Sequence, residues 1–194
     1  IISYSNREAF PRKNAEGFEL TDPLEIDKLN ENLAKTNEWK AGPIVDGKMH
    51  FNNLEKVFNP STGNAVGEVG ITSEKDIENA LNVSAKAQKS WNNLGGAKRA
   101  QILNDAADKM ENECQFFMGL LADEAGRTLS DGLSEVREAV DFLRYYAVEA
   151  TNESNTEGKQ ARGIIACISP WNFPLAIFTG QLSAALAAGN GVLA

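Results

Sequence analysis

The residues best placed to do chemistry lie in one short stretch, Ser169-Pro170-Trp171-Asn172-Phe173-Pro174-Leu175. It follows the apolar run Ile164 to Ile168 and precedes an alanine-rich helix expected over 176–188. Gly189-Asn190 and a second apolar run, Gly191 to Ala194, come next. The order is strand, turn, helix, strand. It predicts a βαβ crossover whose turn sits at the carboxyl end of the first strand, where open α/β sheets bind ligands. A tight turn carrying Trp, Asn and two prolines is not generic loop filler.

The other groups with reactive potential are few. Cys114 and Cys167 are the only cysteines, and His50 is the only histidine. Two cysteines do not make a disulfide framework. One histidine excludes a multi-histidine metal site, and no carboxylate cluster has metal-ligand spacing, so no metal is expected. Cys167 stands beside the turn, but a nucleophilic thiolate needs a lowered pKa and access. Inside an apolar strand it reads as an inert small hydrophobe. Cys114, between Glu113 and Gln115, has no activating neighbour in sequence. Neither is assigned a catalytic role.

The words ISPWNFPL and AAGNGVLA resemble the cofactor-side motif of the aldehyde dehydrogenase superfamily, usually met as PWNFP with AAGNTVLAKPA. Two further segments, EAGRTLSDGLSEVREAVDFLRYYA (124–147) and NFPLAIFTGQLSAALAAGN (172–190), sharpen the likeness. They are similar to the dehydrogenase half of bifunctional proline-utilisation enzymes, which oxidise L-glutamate γ-semialdehyde, the open form of Δ1-pyrroline-5-carboxylate. The match is close over 163–194 and looser upstream. It implies an α/β fold: the amino-terminal part of an aldehyde dehydrogenase-type NAD-binding domain, with helices plus an incomplete βαβ unit.

The resemblance gives Asn172 the sharpest role. Aldehyde oxidation through a thiohemiacetal puts negative charge on the former carbonyl oxygen. A primary amide aimed at that oxygen stabilises it without a proton of its own to lose, an effect of roughly 3 kcal/mol for one such donor. The competing reading is an asparagine that caps the helix beginning near Pro174. By the same resemblance, Ile168, Ser169, Pro170 and Trp171 line the cofactor path. No G-x-G-x-x-G fingerprint occurs, so a conventional dinucleotide reading fails on sequence alone. Ile168 also reads as a buried strand residue. Phe173 is either a wall of the substrate tunnel or a core anchor for the loop. Glu138 and Phe142 lie one helical turn apart, and the resemblance assigns both to substrate binding. Glu138 meets the substrate ammonium by resemblance, or else pairs with Arg137 or Arg144 as a solvated helix residue.

The implied cofactor is NAD, with NADP not excluded, and FAD only if a proline dehydrogenase domain precedes this chain. The implied partner is a small-molecule aldehyde, and the parent enzyme is expected to be a homo-oligomer. The family's nucleophilic cysteine and general base lie further downstream. These 194 residues alone are therefore expected to be inactive. The alternative from another class is a non-catalytic binding or assembly module derived from an aldehyde dehydrogenase.

The remaining sequence must position that turn. Hydrophobic content of 42% and charged content of 24% suit a soluble globular protein. Net charge is −8 with lysines and arginines scattered. That argues against a nucleic-acid surface, which needs a concentrated cationic footprint. No apolar run approaches the ~20 residues that span a bilayer, and no signal peptide is evident. A cytoplasmic protein is expected.

Residues 1–40 read as an extension with one helix, from Asp22-Pro23 to about Lys35, and 41–194 as a partial NAD-binding domain. Ala41 to Phe51 predicts a hairpin about Asp46-Gly47. A turn at 58–63 and a strand near 66–69 follow. A helix over 74–91, opened by Ser73 and Asp76 as a capping box, turns Ile77, Ala80, Leu81, Ser84, Gln88 and Trp91 inward. A second, about 97–113, buries Ile102, Leu103, Ala106 and Met110. A third, about 114–125, carries Phe116, Phe117, Leu120 and Leu121 and stops at Gly126. A fourth, about 132–150, is capped by Ser130 or Asp131 and turns Val136, Val140, Leu143 and Ala147 inward. Residues 151–158 predict a polar surface linker, shorter than the strand-bearing connection the family carries there.

Overall fold

Pro23 opens the first helix, α1 (Pro23–Leu33), where its missing N–H costs nothing, and Asp22 accepts the Leu24 N–H at 2.9 Å. The structure is a computed structural model that describes residues 12–33, 39–152 and 158–194. The expected end of α1 near Lys35 and the core of the 151–158 linker lie outside the described residues. Residues 12–22 are irregular, as expected. The chain divides into two compact units, with α2 (Glu74–Asn93) and α5 (Leu129–Thr151) each contributing to both.

One unit holds residues 18–33, 39–83 and 114–134. Its sheet has the order β1-β5-β4: β1 (Trp39–Ala41) runs parallel to β5 (Ala65–Gly70), and β4 (Leu54–Phe58) pairs antiparallel on the other edge. The boundary expected at residue 40 falls inside β1. The predicted hairpin forms from β2 (Ile44–Val45) and β3 (Lys48–Met49), with positive φ at Asp46 and Gly47. Asn59 shapes the next turn: its Oδ1 accepts the Ser61 and Thr62 N–H groups at 2.9 and 3.0 Å. Its Nδ2 reaches Asp123 of α4 (Cys114–Ala125) at 3.3 Å. Helix α4 buries Cys114, Met118, Gly119 and Leu121, and of the apolar residues noted in it Phe116 is exposed. Gly126, at φ +65°, stops α4, and the Arg127 N–H turns back to the Leu121 carbonyl at 3.1 Å.

The other unit holds 12–17, 84–113, 135–152 and 158–194. The capping box before α2 is reciprocal: the Asp76 N–H donates to Ser73 Oγ at 3.2 Å and the Ser73 N–H to Asp76 Oδ2 at 3.1 Å. The inward face expected for α2 is wrong in its first half, because Ile77 and Leu81 are exposed and no residue of the helix is fully buried. Inward polar contacts come from its last turns, through Gln88, Trp91 and the Asn92 carbonyl. In α3 (Gly96–Asn112) the buried stripe is Arg99, Ala100, Leu103 and Ala107, so Ile102 and Ala106 face solvent against expectation. Arg99, a cation, occupies one of the core positions of that stripe. Helix α5 begins three residues earlier than expected because Thr128, not Ser130 or Asp131, caps it: Thr128 Oγ1 accepts the Asp131 N–H at 3.2 Å. Its stripe of Val136, Val140, Leu143 and Ala147 is buried as expected.

Buried Arg144 of α5 ties this unit to its amino-terminal segment. Its guanidinium donates to both oxygens of Glu111, at 3.2 and 2.7 Å, and to Asp108 at 2.7 Å. Glu111 also accepts the Glu16 N–H at 2.7 Å. The Arg144 hydrogen bonds hold the Glu111 carboxyl down to about 2. The unit ends in the predicted βαβ: β6 (Ile164–Ala166), α6 (Ala176–Ala187) and β7 (Gly191–Leu193), the two strands parallel and in register from Ile164 opposite Gly191. Among the described residues no helix is long and apolar enough to cross a membrane.

Candidate active site

Helix α6 decides where the turn of residues 168–175 sits. Its small residues, Ala176, Thr179, Gly180, Ser183, Ala185 and Ala187, are buried, which lets neighbouring elements approach closely. A Cβ at Gly180 would come within 3.0 Å of the Phe142 ring, so α5 packs directly on the α6 backbone there. Phe142 is half-buried and stacks on Tyr146. That is a packing position for a residue expected to bind substrate.

Both ends of α6 are closed by buried charges from other helices. At the amino end, Glu135 of α5 is 1% exposed, and its Oε2 accepts the Leu175 and Ala176 N–H groups at 2.9 and 3.2 Å. At the carboxyl end, Arg99 is 5% exposed and donates to the Ala187 carbonyl at 3.0 Å and the Asn92 carbonyl at 2.8 Å. Burial pushes its pKa down, but a guanidinium keeps its charge. Each charge has the sign that its helix end favours. Trp91 Nε1 adds a bond to the Leu186 carbonyl at 2.9 Å and Gln88 Nε2 one to the Gly189 carbonyl at 2.9 Å. Gly189 itself, at φ +84°, leaves no room for a side chain, because a Cβ would collide with Asn92 Oδ1.

Asn190 joins the helix to the sheet. Its Oδ1 accepts the Arg162 and Gly163 N–H groups at 2.7 and 3.1 Å, and its Nδ2 donates to the Ala185 carbonyl at 3.2 Å. The asparagine of the AAGN word thus fixes the start of β6 against the end of α6.

The turn itself is open. Asn172 is exposed and lies in a turn, and the first residues of α6 have no side-chain cap from their own segment. The reading of Asn172 as a helix cap is therefore corrected: Glu135 performs that task. Ile168 lies beyond the end of β6 and is 84% exposed, so it is not the buried strand residue it could have been. Its carbonyl accepts from Gln181 Nε2 at 3.0 Å. Trp171 is 89% exposed, while Ser169 and Pro170 are half-buried. Phe173 is 37% exposed and lacks the burial of a core anchor. Beside the turn runs a cleft of about 550 Å³ bordered by Ala166, Cys167, Ile168, Gln181 and Asn190. Gln181 Oε1 is buried there without a hydrogen-bond partner. Cys167 is buried, and burial pushes its thiol pKa up, which is the wrong direction for a nucleophile.

Glu138 is exposed on α5, and neither suggested pairing forms. Arg144 is committed to Glu111 and Asp108, and the Arg137 side chain lies along Gly17.

The structure brings Ile168, Ser169, Pro170, Trp171, Asn172 and Phe173 together on one turn, with Phe142 packed on the helix that follows it. Sequence reasoning missed Glu135, Arg99, Gln181 and Asn190. For Glu135 and Arg99 a signal existed: each is a charged residue at a position where the helical stripe demands an apolar one.

Comparison with known proteins gives these features a family. Residues 48–194 match the model of the aldehyde dehydrogenase family. The chain is 40% identical over 186 residues to the bifunctional protein PutA of Escherichia coli (strain K12), covering 94% of this chain but 14% of PutA. A solved 1-pyrroline-5-carboxylate dehydrogenase from Thermus with bound NAD superimposes with a TM-score of 0.86 at 25% identity, over 96% of this chain and 40% of that one. Proline utilization A (PutA) from Bdellovibrio bacteriovorus, inactivated by N-propargylglycine, gives 0.84 at 26% identity, over 92% and 20%. The chain thus spans about a seventh of the length of the PutA it matches. An exposed Trp-Asn-Phe turn on a doubly capped helix, matched by the family model through the whole βαβ unit, places this chain in the aldehyde dehydrogenase family.

Proposed function

We propose that this chain is part of an NAD(P)-dependent aldehyde dehydrogenase that oxidises L-glutamate γ-semialdehyde to L-glutamate. The observation that carries the reading is Asn172: a primary amide, exposed, relieved of any capping duty, on a turn whose two feet are hydrogen-bonded to the protein. The likeness to PutA and to 1-pyrroline-5-carboxylate dehydrogenase supports the substrate.

In this reading a nucleophile adds to the aldehyde carbon and the carbonyl oxygen becomes an anion. Asn172 donates its amide N–H to that oxygen, which stabilises the charge as it develops. Burial, which pushes the thiol pKa up, argues against Cys167 as the nucleophile. We assign the thiolate and the base that activates water to residues outside this chain.

The surface beside the turn fits a dinucleotide in part. The exposed Ile168 and Trp171 side chains offer apolar area to a flat ring, and the cleft holds the unpartnered Gln181 Oε1 as an acceptor. Glu135 takes the Leu175 and Ala176 N–H groups, so this helix end has fewer free donors for a diphosphate than an uncapped one. Ile168, Ser169, Pro170 and Trp171 would hold the cofactor by apolar and backbone contact. NAD(P) supplies the hydride acceptor when bound. Phe173 would border the aldehyde, and Glu138 would meet the substrate ammonium. The openness of Glu138 and its lack of an ion pair with either arginine support that assignment.

The test uses the whole protein containing this chain, assayed for NAD(P) reduction with L-glutamate γ-semialdehyde and with an aldehyde of similar length lacking the ammonium. Specificity for the γ-semialdehyde is expected, and Glu138→Ala should raise its KM by about tenfold or more, the scale of one charged hydrogen bond, while leaving the KM of the aldehyde without an ammonium unchanged. Equal turnover of both aldehydes by the parent would contradict the substrate assignment.

A further inference from the structure

The turn that carries Asn172 is held at two points. Upstream, Gln181 Nε2 fixes the Ile168 carbonyl at 3.0 Å. Downstream, Glu135 takes the two N–H groups that follow the turn, those of Leu175 and Ala176. Glu135 comes from α5, 40 residues earlier in the chain, and is 1% exposed. Burying a carboxylate is costly unless hydrogen bonds compensate. An apolar residue at this position would serve the α5 core equally well, since its neighbours Val136, Ala139 and Val140 are all buried. The carboxylate is committed to the backbone three and four residues after Asn172, and α6 has no acidic residue in its own first turn that could do the same.

We propose that Glu135 is a positioning residue for the reaction, acting through Asn172. By fixing Leu175 and Ala176, it sets the direction in which the chain leaves the turn, and so where the Asn172 amide points. This inference rests on the proposed role of Asn172. A donor displaced by about an ångström loses much of its effect on a developing charge, so the expected cost of freeing it is about ten- to a hundredfold in kcat. Glutamine at 135 keeps one carbonyl oxygen able to accept both N–H groups, loses the charge and puts an NH2 in place of the buried Oε1, so Glu135→Gln should preserve most of the geometry at Leu175 and Ala176.

The experiment is a double-mutant cycle in the whole protein containing this chain: Asn172→Ala, Glu135→Ala, Glu135→Gln and the Asn172→Ala/Glu135→Ala pair. Readouts are kcat, aldehyde KM, cofactor Kd and amide hydrogen exchange at Leu175 and Ala176. The expected result is a kcat loss in Glu135→Ala with KM and Kd nearly unchanged, loss of protection at both amides, and recovery of both properties in Glu135→Gln. The double variant should be no slower than Asn172→Ala alone, because a positioner has nothing to position once the amide is gone. If Glu135→Ala multiplies the loss on top of Asn172→Ala, or leaves kcat intact, the positioning role is wrong while the Asn172 assignment stands. If Asn172→Ala alone retains normal kcat, the Asn172 assignment itself fails, a result read from that variant before any Glu135 variant is considered. Should Glu135→Ala not fold, Glu135→Gln decides: kcat near the parent value with retained amide protection supports the proposal, and a kcat loss with retained protection overturns it.

Discussion

The turn of residues 168–174 and the frame beneath it are built on opposite principles. The turn presents Ile168, Trp171, Asn172 and Phe173 to open space, and hydrogen bonds hold its two feet. The frame places Glu135, Arg99 and Asn190 at 6% exposure or less, each bonded to two or more backbone groups. The residues with chemical reach contribute little to the fold, and the residues that set their position have no access to a substrate. A substitution in one region should therefore move a different observable from a substitution in the other.

Arg99→Ala should give the largest stability effect. It leaves the last carbonyls of α6 and α2 without their buried donor, and loss of two charged hydrogen bonds should cost about 3 to 5 kcal/mol in urea unfolding. Lysine carries the charge without the fork geometry and should restore less than half. A loss below about 1 kcal/mol in Arg99→Ala would break the comparison, because the frame would then carry no weight.

Glu111 sharpens it from the side of pH. Its carboxyl sits near 2 in the folded chain, below the usual glutamate value, through its hydrogen bonds from Arg144. A depressed carboxyl contributes stability that is complete above the unfolded pKa and is lost as pH falls through the folded one. Parent stability should therefore decline between about pH 4.5 and pH 2, by at most about 3 kcal/mol from this group. Glu111→Gln should be less stable than the parent at pH 7, and the two should converge near pH 2. Parallel curves across that range would show that the ion pair is not the source.

Trp171→Ala should give the smallest stability change, under about 0.5 kcal/mol, because an 89% exposed side chain has little packing to lose. Its effect should appear instead as weaker cofactor binding by titration. A drop of several degrees in melting temperature would show that the exposed turn shares in the fold.

Much of this arrangement was legible in the sequence because it is local. The Asp46-Gly47 hairpin, the Ser73–Asp76 box, the Gly126 stop and the strand-turn-helix-strand order each depend on residues within a few positions of one another. The errors fall where distant groups decide. Ile77 and Leu81 have helical apolar spacing but face solvent, and Ile102 is exposed while Arg99, whose partners are carbonyls of α6 and α2, is buried. The cap of α6 comes from α5, so a search of the flanking residues could only propose Asn172 for it. The family motif located the turn, but not what holds it.

The central claim is that Asn172 is kept free for chemistry by a frame that does its structural work. It is tested most directly by measuring kcat and the unfolding free energy of Asn172→Ala together, in the whole protein containing this chain. The account predicts a fall in kcat of about a hundred- to a thousandfold, the effect of removing one oxyanion donor, with unfolding changed by less than about 0.5 kcal/mol and cofactor Kd nearly constant. Near-normal kcat with a clear loss of stability would contradict it and return Asn172 to a purely structural role.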